Sequence, residues 1–105
     1  MAEFKKVAEL TSLDDGEMIG VELDGENILI ANVNGTVYAV SDVCTHAEAS
    51  LSSGWLDETQ VECSAHSAIF ELTDGSVVGP PATEGITTYQ TQIEGNDILV
   101  GPPSN

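Results

Sequence analysis

Every cysteine and histidine in the chain falls within 23 consecutive positions, as Cys44-Thr45-His46, sixteen intervening residues, and Cys63-Ser64-Ala65-His66. Each Cys-His pair is short enough to be carried by one loop. A fold that sets two such loops face to face therefore delivers two thiolates and two imidazoles to one point. A single cysteine is ordinarily a small buried hydrophobe, and a single histidine a hydrogen-bonded surface group. Two short mixed pairs in a chain of 105 residues are not accounted for that way and point to a metal site. At most one disulfide could form, and a reducing compartment favours thiolates committed to metal. Zinc modules usually pair like ligands, Cys with Cys and His with His. Mixed pairs instead suit a [2Fe-2S] centre in which two cysteines hold one iron and two histidines the other, because each loop then reaches both irons.

The sequence around these pairs reads as short strands, and no window of a dozen residues carries a 3.6-residue apolar period. Residues 17–23 alternate, Asp24-Gly25 turns the chain, 27–33 follow, and Asn34-Gly35 turns it again into 36–40. Asp-Gly and Asn-Gly accept the positive φ of type I′ hairpin turns, so the pattern predicts a three-stranded antiparallel meander. Residues 69–72 and 76–78 around Asp74-Gly75 predict another hairpin, and 86–93 and 98–100 around Gly95-Asn96 a last pair. Such spacing implies one small all-β sandwich or barrel. Residues 41–54 show little strand pattern, Gly79-Pro80-Pro81-Ala82 is an irregular turn, and 101–105 is expected to be a loosely held tail.

Charge narrows the partners. With 18 acidic residues against 2 lysines the formal net charge is −16, and both cations sit together at Lys5 and Lys6. Phosphate backbones and anionic lipid headgroups are bound through Lys and Arg, so nucleic acid and membrane surfaces are disfavoured. Ion pairs can hardly contribute to such a fold, while basic partner surfaces are the natural complement. No apolar run approaches a membrane span, and Met-Ala-Glu-Phe-Lys-Lys lacks the apolar stretch of a secretory signal, so a cytoplasmic protein is expected.

Taken together, the two Cys-His pairs and their sixteen-residue gap resemble the Rieske [2Fe-2S] signature. Leu51, Gly54 and Leu56 fall where that family places a Leu-x-x-Gly-x-Leu stretch, and Phe70, Gly75 and Pro81-Ala82 match later positions. The similarity runs over essentially the whole chain, which in size is most similar to the small Rieske ferredoxins serving bacterial aromatic-ring-hydroxylating dioxygenases. The resemblance implies an all-β fold of three antiparallel sheets: a sandwich-like base, about 1–41 and 83–105, and an inserted cluster-binding subdomain, about 42–82. It also implies Cys44 and Cys63 on the buried iron, His46 and His66 on the outer iron, and the Pro80-Pro81 loop as cover. The implied function is one-electron transfer, without catalysis by this chain itself, from an NAD(P)H-dependent flavoprotein reductase to a terminal Rieske oxygenase. A monomer is expected.

Departures from the family pattern are Ser64, where many relatives have Pro, and Ser67, where they have Gly. Quinol-oxidising relatives carry a second cysteine pair and place Ser and Tyr hydroxyls where this chain has Ala68 and Phe70. Missing donors to the sulfurs, and a cluster that turns negative on reduction inside a polyanion, both lower the expected potential. Two other readings use the same four ligands: a zinc-braced binding module without redox chemistry, and the small Rieske subunit of a reductase such as nitrite reductase.

Lesser features have plainer readings. Trp55 is either a docking aromatic or an anchor packing the subdomain on the base, with packing favoured. Glu48, Asp57, Glu58, Glu62 and Glu71 flank the ligand segments and could meet basic partners as a group. Lys5 and Lys6 read as solvated decoration of a sheet edge. Asp14-Asp15-Gly16 lacks the alternating ligands of a calcium loop and is a turn. No dinucleotide fingerprint is present, so flavin and nicotinamide belong to another protein.

Overall fold

Asn34 and Gly35 both adopt positive φ, 54° and 85°, the backbone that a type I′ turn demands. In the computed structural model, which describes residues 4–23, 25–43, 50–64, 68–79 and 85–103, that turn joins β3 (Glu26–Val33) to β4 (Thr36–Ser41). With β2 (Glu17–Leu23) they form the predicted meander, in unbroken register from Glu17↔Asn32 to Leu23↔Glu26 and from Ile28↔Ser41 to Val33↔Thr36. A second three-stranded leaf consists of β1 (Lys5–Glu9), β9 (Thr88–Glu94) and β10 (Asp97–Pro103), in the order β1-β10-β9. The leaves join through only two residue pairs, Ala39↔Tyr89 and Val40↔Thr88. The result is a six-stranded antiparallel sheet that nearly closes on itself.

The pleat sorts the core. Ile28 and Ile30 of β3 face inward with Val37, Ala39, Ile98, Val100 and Leu13, filling the space between the leaves. Leu29 and Ala31, on the opposite face of the same strand, join Val40 in a second cluster with Leu51, Val61, Phe70 and Leu72. Strand β3 is thus buried on both faces, and each fully buried Ile or Leu contributes roughly 1.5–3 kcal/mol. That second cluster is roofed by a separate four-stranded sheet, β5 (Trp55–Asp57), β6 (Gln60–Glu62), β7 (Ile69–Glu71) and β8 (Val77–Gly79), paired in sequence order. Two leaves and this cap give three antiparallel layers, although the base forms one continuous ladder.

Two expectations need correction. Gly101, Pro102 and Pro103 are not a loose tail: β10 runs through them, Pro103 pairs with Tyr89, and a Cβ on Gly101 would strike the Phe4 ring at 2.7 Å. Lys6 is not merely solvated, for its Nζ lies 3.4 Å from Glu9 and 3.2 Å from Asp97. Being exposed, those pairs are worth little. Strands β1, β5 and β6 were not apparent in the sequence because three-residue segments and a Lys-Lys edge show no alternation. Asp14-Asp15-Gly16 is a turn, clamped by the Gly16 N–H on the Asn32 carbonyl at 2.7 Å and the Asn34 N–H on Asp15 Oδ1 at 2.7 Å. Among the described residues no helix is long and apolar enough to cross a membrane.

Candidate metal centre

The described residues that flank the two ligand pairs form firmly built stems. On either side of residues 44–49, Val43 and Ser50 pair as an isolated antiparallel bridge. Just below, the Leu51 N–H donates to the Asp42 carbonyl at 2.8 Å. The Asp42 carboxylate, with only 5% of the residue exposed, accepts from the Ser52 N–H at 2.6 Å and from the Ser52 hydroxyl at 2.8 Å. A buried carboxylate two residues before Cys44 therefore staples the two flanks together. Among so many acidic residues, nothing in the sequence singled Asp42 out.

The second ligand pair falls between β6 and β7. The Cys63 N–H donates to the Ala68 carbonyl at 2.7 Å, one step beyond the Glu62↔Ile69 pair. Residues 80–84 leave from Gly79, which pairs with Ile69, and the chain returns where the Ile86 N–H donates to the Gly75 carbonyl at 2.8 Å. Gly75 has φ +77°, and a Cβ there would overlap the Ile86 carbonyl oxygen, so only glycine fits.

The first two stems also touch each other. A Cβ on Gly54 would overlap the Glu62 carbonyl oxygen and come within 3.1 Å of the Ser64 nitrogen. Beside that contact the Ser53 and Ser64 hydroxyls are 3.3 Å apart. The family-like glycine at position 54 is thus a close-approach residue that lets the stem of one Cys-His loop lie on the stem of the other.

Of the four expected ligands, Cys63 is described: it is a free cysteine, fully buried among Leu51, Ala68 and Phe70. Cys44, His46 and His66 lie outside the described residues, as do Glu48, Ser67 and Pro80 to Ala82. Among the described residues no group of three or more His, Cys, Asp or Glu side chains forms a metal site. The donor chemistry fits a two-iron cluster. One thiol stands in a dry interior as an inner ligand should, and the sequence holds one further cysteine and two histidines. Ala68 and Phe70 are fully buried and offer no hydroxyl.

The outer face of the cap is acidic, and its tryptophan corrects the favoured packing role: Trp55 is 59% exposed. Asp57 and Glu58 are exposed, while Glu62 and Glu71 are half-buried. Partial burial opposes ionisation of Glu71, but hydrogen bonds from Thr59, Thr73 and Gln60 prevail and hold its carboxyl below the usual carboxylate range. On the base, partial burial and the hydrogen bond it gives Glu26, 2.8 Å long, push the Tyr89 phenol up to about 12.

Comparison with known proteins matches residues 3–90 to the Rieske [2Fe-2S] domain. The biphenyl dioxygenase ferredoxin subunit of Pseudomonas sp. (strain KKS102) is 41% identical over 98 residues, 92% of this chain and 90% of that protein. Among solved structures, the ferredoxin of carbazole 1,9a-dioxygenase from Nocardioides aromaticivorans IC177 superposes with a TM-score of 0.91 at 30% identity, covering 94% of this chain and 97% of that one. A chain from the complex of reduced oxygenase and oxidized ferredoxin in carbazole 1,9a-dioxygenase gives 0.88 at 28% identity, with 92% and 91% covered. A putative NADH-dependent nitrite reductase small subunit from Mycobacterium tuberculosis, at 23% identity and a TM-score of 0.85 with 96% of each chain covered, shares the fold.

Proposed function

The chain belongs to the Rieske [2Fe-2S] domain family, and from that premise we propose that it is the ferredoxin component of an aromatic-ring-hydroxylating dioxygenase system. In this role it passes single electrons from a flavoprotein reductase to a terminal oxygenase and is not itself the catalyst. The observation that carries this reading is the 41% identity to a dioxygenase ferredoxin subunit over nine-tenths of both chains. The nitrite reductase alternative is weaker, since its likeness, at 23% identity, reaches only the fold.

In this reading Cys44 and Cys63 hold the inner iron and His46 and His66 the outer one. A cluster bound there supplies a one-electron couple. The chain's own part is to place and shield: Asp42 and Gly54 set the two stems against each other, and Leu51 and Phe70 keep water from Cys63. The division into a base of about 1–41 and 83–105 and a cluster subdomain of about 42–82 is supported by the sorting of β5 to β8 into their own sheet. A cytoplasmic monomer that meets its partners transiently completes the proposal.

Stopped-flow mixing tests it. The reductase, given NADH, should bleach the brown as-isolated protein, and the reduced protein should then reoxidise on mixing with the oxygenase. Electron-transfer rates should fall as salt screens the acidic surface. A colourless protein holding stoichiometric zinc would support the binding module instead.

A further inference from the structure

Trp55 is the one tryptophan of the chain, and the largest of its side chains lies mostly in solvent on the outer face of the cap. The β5–β6 register sets it directly opposite Glu62, which in turn faces Ile69 across the β6–β7 pair. Asp57 and Gln60 form the next row. These five residues line a shallow cleft of about 50 Å³, with an indole on one side and carboxylates around it. Residues 42–82 contain no lysine or arginine, and the chain's two lysines stand on β1 of the base. Gly54, the preceding residue, rests on the stem of the loop that carries His66. A partner engaging Trp55 is therefore held beside the Glu62–Ser64 stem that contains Cys63.

We propose that the Trp55–Glu62 cleft is the cap's docking point for an arginine or lysine on the surface of the terminal oxygenase, an inference that rests on the carrier function above. A cation over an indole face is attracted by the ring's quadrupole, and flanking carboxylates add charge pairing. The two contributions have different signatures. The aromatic contact survives salt, because it is short-ranged and partly desolvated. The pairing with Glu62 and Asp57 at the rim is screened and acts mainly on the association rate.

The test is calorimetric binding of the holo-protein to the oxygenase at low and high salt. Trp55→Ala should raise Kd about tenfold or more at both ionic strengths, as loss of a central aromatic contact does. Trp55→Phe should cost only about threefold, because Phe is a weaker cation acceptor of similar shape. Glu62→Gln should weaken binding at low salt and leave it near wild type at high salt. Ile93→Ala, another exposed apolar residue but on the base, should change nothing. All four should keep the visible spectrum and melting temperature of the parent. An unchanged Kd for Trp55→Ala would overturn the proposal, as would weakened binding to the reductase alone, or a fall in the chain's own dimerisation, which would make a second copy the occupant. If the parent carries no iron and binds no oxygenase, the carrier function falls with it; a normal carrier indifferent to Trp55 refutes the docking point alone.

Discussion

Base and cap are built from the same kind of strand but held together by different means. The base has strands of five to eight residues, a meander in unbroken register, and a central strand buried on both faces. The cap has four strands of three residues each, too short to be stable as isolated hairpins. It depends on point contacts instead: Gly54 against Glu62 and the Asp42 staple, to which the cluster we propose would add a further tie. A continuous sheet tolerates local damage, whereas a cap fixed at a few points fails where any one of them is lost.

Gly54→Ala should break the comparison most sharply. The added methyl overlaps backbone rather than a movable side chain, at a cost of about 3 kcal/mol or more. Most bound iron and sulfide should be lost while the far-ultraviolet spectrum of the base persists. A variant with full iron content would contradict that view of the cap. Ile30→Ala attacks the base from the inter-leaf core, where the side chain is fully buried. Its expected cost is about 3 kcal/mol, seen as a lower melting temperature with the visible spectrum of the remaining folded protein unchanged.

Asp42→Ala removes the acceptor of both Ser52 hydrogen bonds and should cost about 2 kcal/mol. Hydrogen exchange should report it as faster opening around residues 43 and 50–54, with the β2–β3 amides unaffected. The smallest effect lies where the two leaves of the base meet. Tyr89 ionises only near pH 12, above its unfolded value of about 10. Its contribution is therefore fully present below pH 10 and lost as pH rises through 12. Partial solvation limits it to about 1 kcal/mol. Phenolate absorbance should show this late titration, and Glu26→Gln should move it to lower pH.

The same contrast explains what could be read from the sequence. The meander was legible because alternation over residues 17–40 and the Asn34-Gly35 turn are local signals. The Rieske-type cluster was legible at the level of residue types, since two Cys-His pairs leave little other chemistry and the chain matches the Rieske [2Fe-2S] domain; that Cys44, His46, Cys63 and His66 hold it is our proposal. The supports of the cluster were not legible. Nothing local distinguishes Asp42 from its seventeen acidic companions; its role follows from burial against Ser52. Trp55 follows the tight Gly54 contact, which draws attention to packing, yet the pleat turns its side chain outward and Leu56 inward. The C-terminal Gly-Pro-Pro reads as a breaker until Phe4 and Tyr89 are brought alongside.

The central claim is that the cap houses a Rieske cluster working as a low-potential carrier, and redox titration of the iron-loaded protein tests it most directly. One-electron behaviour is predicted, with a midpoint in the lower part of the Rieske range of about −150 to +300 mV, because Ala68 and Phe70 offer no hydroxyl and the surrounding charge is strongly negative. A midpoint near the top of that range would contradict the account, as would a protein with no reversible couple.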